Sequence, residues 1–442
     1  MLNRNYLYSI IIILLAFLFF SCSSRGGLFG KKTPHEVYAK KIEDAGLKET
    51  ALGEAWFKAA AITLSQPLDI SLPYSETGYF SAEKPNAIGL RFHAKRGEKL
   101  KINLTKKPVE NFAVYVDLWQ PVSPGESPKL LTAADTINLS LEYIVTQDSV
   151  FIVRIQPELL KEGEYKLTIT TGPSLAFPVS SKVKSYIGSY FGAGRDNGER
   201  KHEGIDIFAP KHSPAVAAAE GVVTNVGENT LGGKVIFMRP ERSSFALYYA
   251  HLDSQIVTEG RYVKTGDTLG LIGNTGNARF TASHLHFGIY TNSGAIDPLH
   301  FVKPETTAPA KLSVAVINLN KLMRTEKNAK LYFDENTGNS NFTSLAENTL
   351  LRPEAATGNF YRIVLPDGRK GFVKGSAIIP TNKPIKRFTI KKTQPILSSP
   401  DSTGIQKKLL ATGEKINVLA SFNDFYFVTA KDEQGWLWKK QL

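Results

Sequence analysis

The chain has 442 residues, 42% of them hydrophobic, with a single cysteine and a formal net charge of +13. That length and apolar content suit three or four domains, each able to bury a core, and one cysteine excludes a disulfide within the chain. The positive surplus suits an acidic polymer, a membrane surface or nucleic acid.

At the N-terminus, Met1 to Asn5 carries Arg4 and the terminal amine as its positive charge, and Leu7 to Phe20 is apolar. A run of about fourteen apolar residues is short for a membrane span, which needs about twenty. Cys22 follows it, and a free reactive thiol would be out of place beyond the cytoplasm. The run resembles a bacterial lipoprotein signal, although Phe19 stands where a smaller aliphatic residue is usual. The resemblance implies removal of residues 1–21 as a signal peptide, acylation of Cys22 and attachment to a lipid bilayer. The competing reading is a plain anchor helix over Leu7–Phe20. Ser23 is not the aspartate that retains many lipoproteins in an inner membrane, so the same resemblance implies the outer membrane, facing the periplasm.

Residues 22–33 form a short polar tether. Over 34–66 the spacing of Leu52, Trp56, Ala59, Ala60 and Thr63 predicts a helical segment whose apolar face packs on a core, with a break at Ala45-Gly46. From Pro67 the period changes to two, in Ile88/Leu90/Phe92, Leu100/Ile102/Leu104, Phe112/Val114/Val116/Leu118 and Tyr165/Leu167/Ile169. Turn signals separate these runs, and the pattern predicts an antiparallel β-sandwich over 67–175. Its closing segment resembles the pre-peptidase sandwich modules of secreted proteases. It carries no evident chemistry and reads as a spacer or a partner surface.

The chemistry lies in 185–302. His202 and Asp206 stand in His-Glu-Gly-Ile-Asp, His251 in Tyr-Tyr-Ala-His-Leu, and His284 and His286 in His-Leu-His. A catalytic zinc site takes three protein ligands and keeps one open position, and leftover imidazoles can transfer protons. A lone histidine is more often a satisfied polar group, and His35, His93, His212 and His300 are read that way. Period 2 puts His284, His286, Gly288 and Tyr290 on one strand face and Leu285, Phe287 and Ile289 on the core face. The same rule aligns His251 with Phe245, Leu247 and Tyr249. Gly204 argues for an irregular or extended segment between His202 and Asp206 rather than a helix. Spacing leaves open which of His284 and His286 is a ligand.

The ordered set of His202–Asp206, Tyr249-Ala-His251-Leu, Gly273-Asn-Thr-Gly276 and His284-Leu-His286-Phe resembles the lysostaphin/LytM-type zinc metallopeptidases. In that family the ligands are the His and Asp of the first motif and the second His of His-x-His. The resemblance therefore implies one zinc per chain on His202, Asp206 and His286, with His251 and His284 handling protons. The run 278–283 before His284 is longer than the family pattern. The family typically cuts stem peptides or cross-bridges of bacterial peptidoglycan. Two imidazoles and one carboxylate leave a zinc site at net +1, and no His-Glu-x-x-His helix is present, which excludes the thermolysin plan. A silent relative that activates a cell-wall amidase is the alternative, and a metalloprotease of Gly-rich proteins is another. All five residues expected of an active site are present.

After a Pro/Thr/Ala linker at 303–311 comes an internal repeat with an offset of about 65 residues. Phe360-Tyr-Arg-Ile aligns with Phe425-Tyr-Phe-Val, and Gly371-Phe-Val-Lys with Gly435-Trp-Leu-Trp. The pattern resembles bacterial SH3-like barrels, at 312–380 and 384–442, which implies binding of cell-wall peptides. Residues 305–442 hold 21 Lys/Arg against 12 Asp/Glu. A basic face suits an acidic polymer or membrane, whereas an exported chain without a basic stripe or recognition helix is not expected to bind nucleic acid. The expected fold is mostly β and multidomain: helical segment plus sandwich, central antiparallel peptidase domain, and two small barrels.

Overall fold

The computed structural model describes residues 32–123, 125–195, 199–303, 307–334 and 341–442. The signal segment and Cys22 lie outside the described residues. Among those described, no helix is long and apolar enough to cross a membrane.

The chain is mostly β. It opens with two helices, Pro34–Asp44 and Ala51–Ser65, separated at Ala45-Gly46 as the sequence predicts. The Thr33 hydroxyl accepts from the Glu36 backbone N–H while the Glu36 side chain reaches back to Thr33 N, so two otherwise unpaired helix-end donors are satisfied. The second helix buries Gly53, Trp56, Ala60 and Thr63. Leu52, expected on that face, is instead exposed. The helix turns the small Gly53 inward, and the ring of Trp56 fills the space.

Both helices cover one sheet of a two-sheet sandwich. That sheet runs Leu68–Asp69, Ile88–Ala94, Ser149–Pro157, Val114–Gln120, Lys129–Ala133. Because it is covered on both faces, residues of either parity in 152–156 are buried, and the polar ones are paired. Arg154 forks onto Asp117 at 3.0 and 2.6 Å, and Gln156 bonds His35 at 2.7 Å. His35 also stacks on Trp56, with centroids 4.7 Å apart, so its reading as a satisfied structural histidine agrees with its surroundings. The facing sheet contains Tyr74–Phe80, Gly163–Pro173, Glu98–Lys107 and Ser140–Ile144. Leu90, Leu100, Ile102, Val114, Val153, Leu167 and Ile169 fill the space between the sheets without solvent exposure.

This second sheet does not end at the sandwich. Thr77 and Gly78 pair antiparallel with Ala356 and Ala355, joining Tyr74–Phe80 to Leu350–Thr357. The C-terminal strands Phe360–Val364 and Lys370–Lys374 extend it further. The expected barrels are not closed among the described residues: the first repeat's strand Leu350–Thr357 is paired to the sandwich, and the second repeat lies in a separate six-stranded sheet. The internal repeat is visible as two three-stranded meanders, 350–374 and 415–438.

A buried ion cluster sits at the junction. The Arg362 guanidinium donates to Glu76 at 3.0 Å, to Glu354 at 2.7 Å and to the Tyr165 hydroxyl at 2.8 Å, and Tyr165 donates to Glu76. The side chains of Arg362 and Glu76 are 2% and 0% exposed.

Residues between the sandwich and the C-terminal strands build a separate ten-stranded sheet. Its spine runs Tyr186–Ser189, Ile205–Phe208, His284–Thr291, Phe245–Gln255, Gly233–Pro240, Gly221–Asn229. Ile205, Ile207, Leu247, Tyr249, Leu285, Phe287 and Ile289 are fully buried on one face, which leaves the other face to carry polar groups.

Removing one partner from a buried, hydrogen-bonded charge pair leaves the other charge uncompensated, at a cost of about 3–5 kcal/mol. Arg362→Ala should therefore lower the urea midpoint of the unit containing the sandwich. An unchanged midpoint would show that the junction contributes nothing to stability.

Candidate metal centre

The site is built on register. Asp206 in Ile205–Phe208 lies directly opposite His286 in His284–Thr291, and the flanking pairs are Ile205 with Phe287 and Ile207 with Leu285. The apolar pairs anchor the core face, so the carboxylate and the imidazole emerge side by side on the other. His202 joins them from the segment preceding the strand. His202 Nε2 is 2.9 Å from His286 Nδ1 and 3.0 Å from Asp206 Oδ1, and His286 Nδ1 is 3.1 Å from that same oxygen.

These separations suit a shared ion. Three ligand atoms at tetrahedral zinc distances lie about 3.3 Å apart. The tautomers agree as well. His202 Nδ1 is 2.9 Å from the Tyr190 carbonyl, which can only accept, so Nδ1 carries the proton and Nε2 turns a lone pair to the centre. Two imidazole nitrogens and a carboxylate oxygen converging in this way are a donor set for a divalent metal.

The remaining two imidazoles stand beside the triad. His284 Nδ1 donates to the Ala282 carbonyl at 2.8 Å, and His251 Nδ1 to the Thr275 carbonyl at 2.9 Å. The His251 ring centroid is 4.9 Å from that of His284 and 5.9 Å from that of His286. The long run 278–283 thus has a definite part, because it delivers the carbonyl that orients His284.

His251 departs from the expected alignment. Leu247 and Tyr249 face the core, and strict alternation would send His251 after them. Its φ of +60° breaks the alternation and turns the ring to the site face. A non-glycine residue in the left-handed region carries strain that its surroundings must hold. Here the holding contacts are the bonds from His251 N to Gly232 O and from Gly273 N to His251 O.

Electrostatics divide the five groups. Burial opposes ionisation of Asp206, but the adjoining His202 and His286 side chains outweigh it and hold the carboxyl far below its usual range. Burial, reinforced by His284 and His286, pushes His251 down to about 4. Burial also lowers His286, opposed by Asp206. At neutral pH the site therefore presents an ionised carboxylate and a His251 imidazole free to accept a proton.

Two contributors escaped the sequence reading. Arg195 Nη2 donates to Asp206 Oδ2 at 2.6 Å and to Ser189 Oγ at 2.9 Å. The guanidinium occupies the outer carboxylate oxygen and leaves Oδ1 to the imidazoles. No spacing rule singles out this arginine. Gly204 was read as a sign of irregular backbone, but its reason is steric: a Cβ there would lie 2.5 Å from the Phe287 carbonyl and 2.8 Å from His286 Nε2.

Residues 200–298 match the family model of Peptidase family M23. This part of the chain is an M23 peptidase domain. Among curated relatives, the chain is 35% identical over 108 residues to the uncharacterized lipoprotein YgeR of Escherichia coli K12, covering 24% of this chain and 42% of that protein. It is 30% identical over 128 residues to the peptidoglycan DD-endopeptidase ShyC of Vibrio cholerae, covering 29% of each. The chain thus spans less than half the length of these relatives. A solved structure, the catalytic domain of lysostaphin from Staphylococcus simulans, is 31% identical, covering 28% of this chain and 98% of that one at a TM-score of 0.25.

Gly204→Ala should displace the His286 ring and weaken divalent-metal binding by about 10–100-fold, the usual cost of disturbing what orients a ligand. Cobalt titration followed by its visible absorption reads this directly, and wild-type affinity in the variant would contradict the steric account.

Proposed function

We propose that this chain is a zinc-dependent endopeptidase that hydrolyses peptide bonds in bacterial peptidoglycan, in stem peptides or cross-bridges, while anchored to the envelope through acylated Cys22. The observation that carries this reading is the convergence of His202, Asp206 and His286 on one point, with two further oriented imidazoles beside it, inside an M23 domain.

In this proposal His202, Asp206 and His286 hold one zinc per chain. Bound there, zinc supplies Lewis acidity toward an amide carbonyl and toward water. His251 and His284, each fixed by a backbone carbonyl at Nδ1, keep Nε2 ready to take a proton from the attacking water and return it to the leaving amine. Such transfer is typically worth about 10²–10⁴-fold. Peptidoglycan as substrate draws support from the Vibrio relative, a peptidoglycan DD-endopeptidase, and envelope anchoring from the Escherichia relative, a lipoprotein. The C-terminal strands, with their basic surplus, fit a role in holding the acidic wall polymer. An amidase-activating scaffold is disfavoured because it would not require five oriented polar groups around one point.

Asp206→Asn and His286→Ala should each lose zinc by elemental analysis. Full zinc in His286→Ala would overturn the ligand assignment. His251→Ala should keep zinc and lose about 10²–10⁴-fold in release of peptides from purified cell wall; an emptied site would instead make His251 a ligand.

For the anchor, Cys22→Ser should abolish acylation and release the chain from the membrane fraction. An uncleaved, membrane-bound Cys22→Ser protein would make Leu7–Phe20 a transmembrane helix.

A further inference from the structure

The site face of the sheet continues past the triad as a row of aromatic rings. Tyr248 packs against His286 with centroids 5.8 Å apart, and Tyr290 lies 5.8 Å beyond Tyr248. Phe237 backs both, at 4.5 Å from Tyr248 and 6.5 Å from Tyr290. Gly288, directly opposite Tyr248 in the sheet, is what lets this row form. A Cβ at Gly288 would come within 2.9 Å of Tyr290 Cε2, so a side chain there would push Tyr290 off the surface. Freed of that obstacle, Tyr290 extends across to the first motif and donates its hydroxyl to Glu203 at 3.2 Å.

Glu203 lies between His202 and Gly204 but points away from the metal ligands, and it is exposed. Among the described residues its carboxylate pairs with the Tyr290 hydroxyl and with no lysine or arginine. None of the rings Phe237, Tyr248 and Tyr290 is covered by a cation among the described residues either, although seven such contacts occur elsewhere. In a chain of net charge +13, this patch combines an exposed carboxylate with the part-exposed ring of Tyr290, backed by the buried Tyr248, and lacks the cation that the first two would bind.

We propose that Glu203 and Tyr290, with Tyr248 packed behind them, form a subsite for a primary ammonium group carried by the substrate. The carboxylate supplies charge and two hydrogen-bond acceptors. The ring faces add cation–π attraction, which grows as water is displaced. An exposed ion pair alone would contribute little, so the rings are essential to the site. Two steps of 5.8 Å from His286 place the subsite within about three residues of an extended chain from the bond being cut. The proposal rests on the endopeptidase reading and narrows its substrate class to peptides with a free side-chain or terminal amine near the scissile bond.

The test is calorimetric titration of the full chain with the tripeptide L-alanyl-γ-D-glutamyl-L-lysine and with its Nε-acetylated form. The free amine should bind at least about tenfold tighter than the acetylated form, consistent with a partly desolvated cation–π and carboxylate pair. Glu203→Gln and Tyr290→Leu should each erase the difference while keeping the wild-type metal content. Equal affinity for the two peptides, including no measurable binding of either, overturns the subsite, as does undiminished discrimination in Glu203→Gln. Binding is read without turnover, so amine discrimination in a chain that cuts no cell wall would count against the endopeptidase reading alone. Cell-wall cleavage without discrimination would count against the subsite alone.

Discussion

The antiparallel pairing of Ile205–Phe208 with His284–Thr291 determines where every other group of the site can stand. Because the period of a strand is two, the register that buries Ile205, Ile207, Leu285 and Phe287 also sets Asp206 against His286 on the opposite face. A slip of one residue in either strand would bury that strand's polar group and expose its apolar ones, and the core forbids it. The candidate metal ligands thus inherit their precision from hydrophobic packing rather than from contacts among themselves. His202, delivered by irregular backbone, is correspondingly the ligand that needs an extra restraint, and the Tyr190 carbonyl provides it.

The same carboxylate serves two cations. Arg195 takes Oδ2, and the two imidazoles crowd Oδ1. Arg195 is a third exposed and Asp206 nearly buried, so the guanidinium faces water on one side and the carboxylate on the other. A divalent ion at the triad would feel the repulsion of the arginine, but that repulsion is screened through the partly exposed guanidinium. In return the bond to Oδ2 holds the carboxylate with one oxygen toward the centre.

Much of this site is legible in the sequence. His284, His286, Gly288 and Tyr290 share a face as the alternation requires, and the segment from His202 to Gly204 is irregular rather than helical. What local pattern does not carry is backbone exceptions and long-range fit. Alternation places His251 with Leu247 and Tyr249, and only its left-handed φ corrects this. Gly204 and Gly288 look like ordinary strand or loop glycines until the atoms across from them are known. Arg195 is one of many basic residues, distinguished only by the fold that brings it to Asp206. Leu52 follows helical spacing but sits at the margin of the buried face, where the small Gly53 makes the closer approach.

The C-terminal strands show the same boundary on a larger scale. Their internal repeat is local, and it appears as two meanders; which edge they pair with is not local. Hydrogen bonding of Thr77 and Gly78 to Ala356 and Ala355 makes the first C-terminal strands a continuation of the sandwich sheet. Burying Arg362, Glu76 and Glu354 is expensive unless all the partners are present, and these partners come from both sides of the peptidase domain in sequence. The cost favours a state in which the two halves are joined and the M23 domain is held as an insertion between them. The basic residues of the C-terminal strands are then carried on a fixed extension of the sandwich, rather than on a free module at the end of a linker.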